Sequence, residues 1–276
     1  KKNKFIYNIN STVKSFLTKY RYKKVVSYYN KKNKKYTIED LLLLKGFNSE
    51  WSNQFELRKP RIFYLGTDEH QDKSGFLQAL EKFSVLKYFT KEDGSYGQYK
   101  DKKDTVKLNR ERLFFLFSQA EENNNIPDIL LMQTSAWRIG LNTLIKLKNK
   151  YKKIKIINIS MDDRHTFHLH GNPNNGVYGL LPALDLALTA APEAVEWYLK
   201  EHTPSIFFPE ASSLEFFYPM HIDKKYDVGF VGGKYGYREE IINFLRTNNI
   251  NVEAKLQNLS IIPTSIKLFK FNWCNE

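Results

Sequence analysis

The chain has 276 residues, 42% of them hydrophobic and 15% aromatic, which is too much apolar material for a disordered polymer and enough for one large core or two modest ones. Its longest apolar runs, such as residues 41–44, fall far short of a membrane span. The formal net charge of +13 is uneven: residues 1–60 hold 15 Lys and Arg against 4 Asp and Glu, a net of +11, and residues 61–276 carry only +2.

Residues 1–60 are expected to be a basic, mainly helical accessory segment. Thr37 and Asp40 form a capping box ahead of a helix on residues 41–44. From residue 61 a rhythm of strand, loop and helix begins. Strands are expected at 61–66, near 85–89, at 128–133, 154–161, 186–189 and 205–208. Helices are expected on Phe76, Leu77, Leu80 and Phe83, then at 109–122, at 139–151, and from Pro192 to about residue 201. Strands alternating with helices imply a parallel sheet covered on both faces, a Rossmann-like α/β lobe over 61–222. A Gly, Lys and Asp-rich loop fills 91–105, and a long polar loop fills 162–175. Polar loops at the carboxyl ends of parallel strands are where such sheets place ligands. A Pro-containing connection at 209–223 leads to a second unit. Residues 227–231 are a short buried strand, Gly232 and Gly233 follow, and 238–245 is a helix with Ile241, Ile242 and Leu245 on one face. A further strand covers 251–255. The glycine pair is either a tight turn or a place where a diphosphate approaches the backbone beside a helix N-terminus.

One cysteine, Cys274, excludes an internal disulfide and fits a reducing compartment, so a cytoplasmic and at most membrane-peripheral protein is expected. The chain starts at Lys1 and stops soon after the last strand, as a fragment or truncated reading frame would. The basic segment suits weak, salt-sensitive contact with an anionic membrane surface, and equally a solvated Lys and Asn-rich stretch. No nucleic-acid module accompanies it, so nucleic acid is not an expected partner.

The strings "FFPEAS" at 207–212, "MDDRHTF" at 161–167 and "YDVGFVGGKYGYREEIINFL" at 226–245 resemble the bacterial spore-maturation-type glycosyltransferases over about residues 61–255. That family has the GT-B fold of two Rossmann-like lobes. The resemblance implies a glycosyltransferase that moves a sugar from a nucleotide-sugar donor to an unknown acceptor such as a cell-surface glycan, a protein or a small molecule. It implies an acceptor lobe at 61–222, an incomplete donor lobe at 223–276, and no cofactor or catalytic metal. The part of the donor lobe that would hold the nucleobase and ribose is absent, which puts activity of this stretch alone in doubt.

Glycosyl transfer needs a stabilised diphosphate leaving group and a base for the acceptor hydroxyl. Gly232, Gly233 and Arg238 are the donor-binding candidates, with Arg238 alternatively a solvated helix residue paired with a nearby Glu. Asp68, Glu69 and His70 after the first strand, and Asp162, Asp163 and His165 after the strand ending at Met161, are the candidates for the base. Each is alternatively a capping or solvating loop residue. His165, His168 and His170 have spacing that a transition metal tolerates, against a plain hydrogen-bonded loop. Two other classes remain: a non-catalytic lobe of GT-B type, and another doubly wound nucleotide-binding enzyme such as an oxidoreductase. No GxGxxG follows the first strand, which counts against the latter.

Overall fold

The structure is a computed structural model that describes residues 2–100, 103–219, 221, 223–233 and 237–257, with side chains from residue 16 to residue 255 within that set. The chain divides into two compact units, Lys1–Phe217 and Tyr218–Glu276.

In the first unit six strands form one sheet: β1 (Arg61–Leu65), β2 (Val85–Tyr88), β3 (Ile129–Met132), β4 (Lys155–Ser160), β5 (Leu186–Thr189) and β6 (Ser205–Phe207). Their order is β2-β1-β3-β4-β5-β6, and every neighbouring pair is parallel. The unit is therefore the Rossmann-like α/β lobe that the alternating pattern predicts. Parallel strands need helical crossovers, and these come from α4 (Glu69–Gln71) with α5 (Leu77–Phe83), α6 (Thr105–Glu122), α7 (Ala136–Ile139) with α8 (Leu141–Lys150), α9 (Asp163–Thr166) and α10 (Pro192–Lys200). The helix expected at 139–151 is broken by Gly140, whose φ of 72° belongs to the left-handed half of backbone space.

Alternation along β1 divides the core in two. Phe63 and Leu65 join Leu113, Phe117, Leu144, Leu147 and Trp197 on one face, and Ile62 and Tyr64 join Leu77, Leu80, Ile157 and Ile159 on the other. Residues 1–60 supply material to both layers. Within this segment α1 (Lys2–Lys31) lays Tyr22, Val25, Val26 and Tyr29 against the first cluster, while α2 (Ile38–Leu44) and Phe47 close the second. The capping box of Thr37 and Asp40 is present, and a short α3 (Ser49–Asn53) follows.

The docking of α1 combines packing with charge. Tyr29 is 1% exposed, stacks on Trp197 at 5.7 Å, and donates its hydroxyl to Glu201 at 2.8 Å. Tyr22 donates to Glu193 at 3.0 Å, and Lys32 pairs with Glu201 at 2.7 Å.

The second unit pairs β7 (Val228–Gly233) with β8 (Val252–Gln257) in parallel, joined through α11 (Arg238–Thr247). Among its described residues, Ile242 and Val252 are buried. Two sequence expectations change here. The glycine pair is the end of the strand, with Gly232 opposite Leu256 and Gly233 opposite Gln257, and the link at 234–236 lies outside the described residues. Nor is the strand fully buried, since Val231 is 48% exposed.

Replacing Tyr29 by Ala should cost about 3–5 kcal/mol, as loss of a buried aromatic does, whereas Tyr20→Ala on the exposed side of α1 should stay within about 0.5 kcal/mol. Urea unfolding monitored by circular dichroism compares the two. Equal costs would mean that α1 does not dock as described.

Candidate functional site

The sheet order places a reversal between β1 and β3: the chain leaves β1 toward β2 and leaves β3 toward β4. In open parallel sheets the crevice at the carboxyl ends beside such a reversal is the usual ligand position.

Directly after β1, Asp68 accepts from the backbone N–H of His70 at 3.0 Å and of Gln71 at 3.2 Å through Oδ1, so it caps α4. His70 and Glu69 are exposed on the same turn, and Glu69 pairs with Lys73 at 2.7 Å. Beneath this turn is a group that the sequence reading passed over. Asp72 is 2% exposed, and it accepts from the Tyr64 hydroxyl at 3.1 Å and the Tyr96 hydroxyl at 2.8 Å. The backbone N–H groups of Thr67 and Asp68 add contacts at 3.3 and 3.4 Å. Burial pushes its carboxyl up from the usual carboxylate range, and the phenol and backbone donors oppose that rise.

The network continues across the strand ends. The Gln98 amide donates to the carbonyl of Gln133 at 3.0 Å and accepts from the Thr134 hydroxyl at 2.7 Å, and the Thr134 N–H donates to the Asn158 side chain at 3.2 Å. Gln98 lies in the segment expected to be a polar loop at 91–105. That segment instead folds back onto β1, with the Gln98 N–H on the carbonyl of Gly66 at 3.1 Å, and both Gln98 and Tyr99 are buried. Asn109 of α6 fixes it by accepting from the Tyr99 N–H at 2.8 Å and donating to the carbonyls of Tyr99 and Arg138.

After β4 the two neighbouring aspartates have opposite settings. Asp163 is 1% exposed; it is not a solvent-facing group. Its carboxylate accepts from the hydroxyls of Ser160 at 2.7 Å, Thr189 at 2.6 Å and Tyr198 at 2.8 Å, tying the ends of β4 and β5 to α10. Burial raises its pKa to about 6 against the lowering effect of those three hydroxyls. Asp162 is exposed, with Oδ2 3.9 Å from His165 Nε2. Partial burial lifts its carboxyl above the ordinary range, while His165 and Arg164 pull it down. The structure thus brings Asp162 and His165 together and holds Asp68 and His70 on one turn. The two groups are separated by β3, hence by two inter-strand spacings of ~10 Å in all.

The histidines at 165, 168 and 170 diverge. His168 is wedged between Phe167 and Tyr178, at 5.3 and 5.2 Å between ring centres, and burial lowers its pKa. Among the described residues no group of three or more His, Cys, Asp or Glu is placed to hold a metal ion. In the second unit Arg238 donates through Nη1 to the carbonyl of Gly233 at 3.0 Å and lies over the Phe230 ring at 5.5 Å. The first unit also has two cavities, of about 400 and 290 Å³. One is walled by Leu86, Tyr88, Leu116 and Gln119, the other by Lys45, Tyr178, Leu181 and Glu201.

The Asp72 network had one signal in the sequence: Tyr64 carries the only side-chain hydroxyl in the strand RIFYL, and a buried phenol needs a partner. Gln98 and Asn109 had none, because their partners come from distant loops. Neither a protein-family model nor a curated protein matches the chain.

Two outcomes follow from the buried carboxylates. Folded Asp163 holds its proton more tightly than the unfolded chain, where the ordinary value is 3.8, so its contribution favours the folded state at low pH and is lost as pH rises from about 4 to about 6. The stability difference between wild type and Asp163→Asn should therefore fall by on the order of 2–3 kcal/mol across that window and be flat above it, in urea titrations at stepped pH. A flat difference throughout would show that the carboxyl is not raised. Gly66→Ala should disrupt the Asp72 network, since a Cβ there would collide with the Tyr96 hydroxyl, Asp72 Oδ2 and the Tyr64 ring. The expected loss is about 2–3 kcal/mol, from donors left without their acceptor, and a melting temperature equal to wild type would refute it.

Proposed function

We propose that the protein is a glycosyltransferase of the GT-B type, transferring a sugar from a nucleotide-sugar to an acceptor hydroxyl. The observation that supports this reading is the second unit's β7, ending in the glycine pair, with α11 and β8 after it, alongside a parallel-sheet lobe with polar loops at its carboxyl edge. In this reading the second unit binds the donor, and the candidates for the base are residues of the first.

Gly232 and Gly233 let an anion come close to the backbone, and the positive end of the α11 dipole favours it there. A guanidinium carries five donors, so the bond from Arg238 to the Gly233 carbonyl orients the group without exhausting it. As the anomeric carbon leaves the diphosphate oxygen and bonds to the acceptor oxygen, negative charge grows on the diphosphate. Arg238 and the helix end stabilise that charge. His165 takes the acceptor proton, and the Asp162 carboxylate steadies the imidazolium. Asp68 and His70 line the same edge and bind the acceptor, while Asp163 positions the loop from within.

A second reading, a non-catalytic lobe of the same architecture, is favoured by one observation: Arg238 is already engaged by Gly233 and Phe230 inside its own unit. Calorimetric titration of uridine and guanosine diphosphates into the protein at its natural full length separates the two. The glycosyltransferase reading expects Arg238→Ala to weaken binding by about 1–3 kcal/mol, and Gly233→Val to weaken it further. His165→Ala should leave that affinity intact while slowing sugar transfer by about 10²–10⁴. Unchanged diphosphate affinity in both second-unit variants, with their melting curves intact, would remove the donor role.

A further inference from the structure

The two sides of α1 meet different surroundings. Its inner side is fixed against α10 and the aromatic cluster around Phe167. On its outer side Phe16, Tyr20, Lys24 and Lys31 fall on one stripe at helical spacing, with Phe16 67% and Tyr20 52% exposed. Leu17, Lys23 and Tyr28 flank the stripe and are exposed as well.

The charge on this side has no counterpart within the segment, because the first 38 residues contain no Asp or Glu. The acids that meet the segment belong to α10 and the residue after it, and they take up Lys32 and Lys34 at the inner flank. Among the described residues no ion pair involves Lys23, Lys24 or Lys31. Exposed rings and leucine interleaved with lysines on a helix fixed to a folded body match the interfacial zone of a bilayer, where apolar side chains enter the headgroup boundary and ammonium groups stay at the phosphates. A nucleic acid would be better served by a basic groove with stacking platforms than by a convex helix carrying Phe16 and Leu17.

We propose that the outer side of α1 seats the protein on an anionic lipid surface, with Phe16 and Tyr20 entering the headgroup layer and Lys23, Lys24 and Lys31 meeting lipid phosphate and carboxylate groups. The contact is peripheral, since no helix among the described residues is long and apolar enough to cross a membrane. Each lysine near such a surface strengthens attachment about fivefold, and the effect fades beyond a Debye length.

The test uses the intact chain, because deleting residues 1–60 would uncover Trp197 and Phe167 and destroy the fold along with the contact. Wild type, Lys23→Glu/Lys24→Glu/Lys31→Glu and Phe16→Ser/Tyr20→Ser are sedimented with vesicles of phosphatidylcholine alone or mixed equally with phosphatidylserine, at low and high salt. Wild type should bind the mixed vesicles and not the neutral ones. The charge variant should lose at least about a hundredfold in affinity, and the aromatic variant should keep low-salt binding and lose what remains at high salt. All three should unfold at the same urea concentration. Binding to neutral vesicles as strong as to mixed ones, or full binding by the charge variant, would overturn the proposal. So would release of wild type from mixed vesicles by duplex RNA at equal phosphate concentration, which would assign the surface to nucleic acid.

Discussion

A sheet made only of parallel strands must be covered on both faces, because each crossover places apolar side chains above and below it. In this protein β3, β4, β5 and β6 are connected in sequence through α8, α9 and α10, and Leu144 and Leu147 of α8, Phe167 after α9, and Ala194 and Trp197 of α10 gather with Phe63, Leu130 and Ile156 in one cluster. The opposite face, with Ile157, Ile159 and Leu186, is left to α5 and to α2 with Phe47. The N-terminal sixty residues are therefore part of the solution to a packing problem. Their basic character is tolerated because Glu193, Glu196 and Glu201 lie where Tyr22, Lys34 and Lys32 arrive.

Two buried carboxylates hold the carboxyl edge of the sheet. Asp72 gathers two phenols and two backbone N–H groups after β1, and Asp163 gathers three hydroxyls after β4. Both are raised above the ordinary carboxylate range for the same reason, desolvation only partly offset by uncharged donors. Neither has an ion-pair partner among the described residues. Uncharged donors hold a carboxyl in place in either protonation state, which makes these two groups anchors. Asp162 and His165, three residues apart on one turn, are by contrast exposed to solvent.

Much of this was legible because it rests on local rules. Runs of four to eight residues between helical stretches located the six strands of the first unit, and Thr37 with Asp40 announced a helix start that the structure contains. What was hidden depends on contacts remote in sequence. Asp162 and Asp163 are chemically identical and adjacent, and only the positions of Thr189 and Tyr198 decide which is buried. Gln98 looked like part of a solvated loop until its amide was found on the strand ends of β1 and β3. The glycine pair reads in the sequence as a turn after the strand or a place for a diphosphate, yet the pairing of β7 with β8 runs through both residues. Phe167, in the middle of a loop rich in His, Asp and Asn, is fully buried against Tyr29, Trp197 and Tyr198.

The seating of α1 also orders events in time. The residues that receive Tyr22, Tyr29 and Lys32 lie 171, 172 and 169 positions further along the chain. During synthesis at ~5–20 residues per second, that separation corresponds to a wait of roughly ten to thirty seconds. For that interval a helix without a single acidic side chain has both its sides open beside the ribosome, a large polyanion. Closure of α1 onto α10 is then a late, non-local step in assembly, in which a helix waits for a partner made well after it.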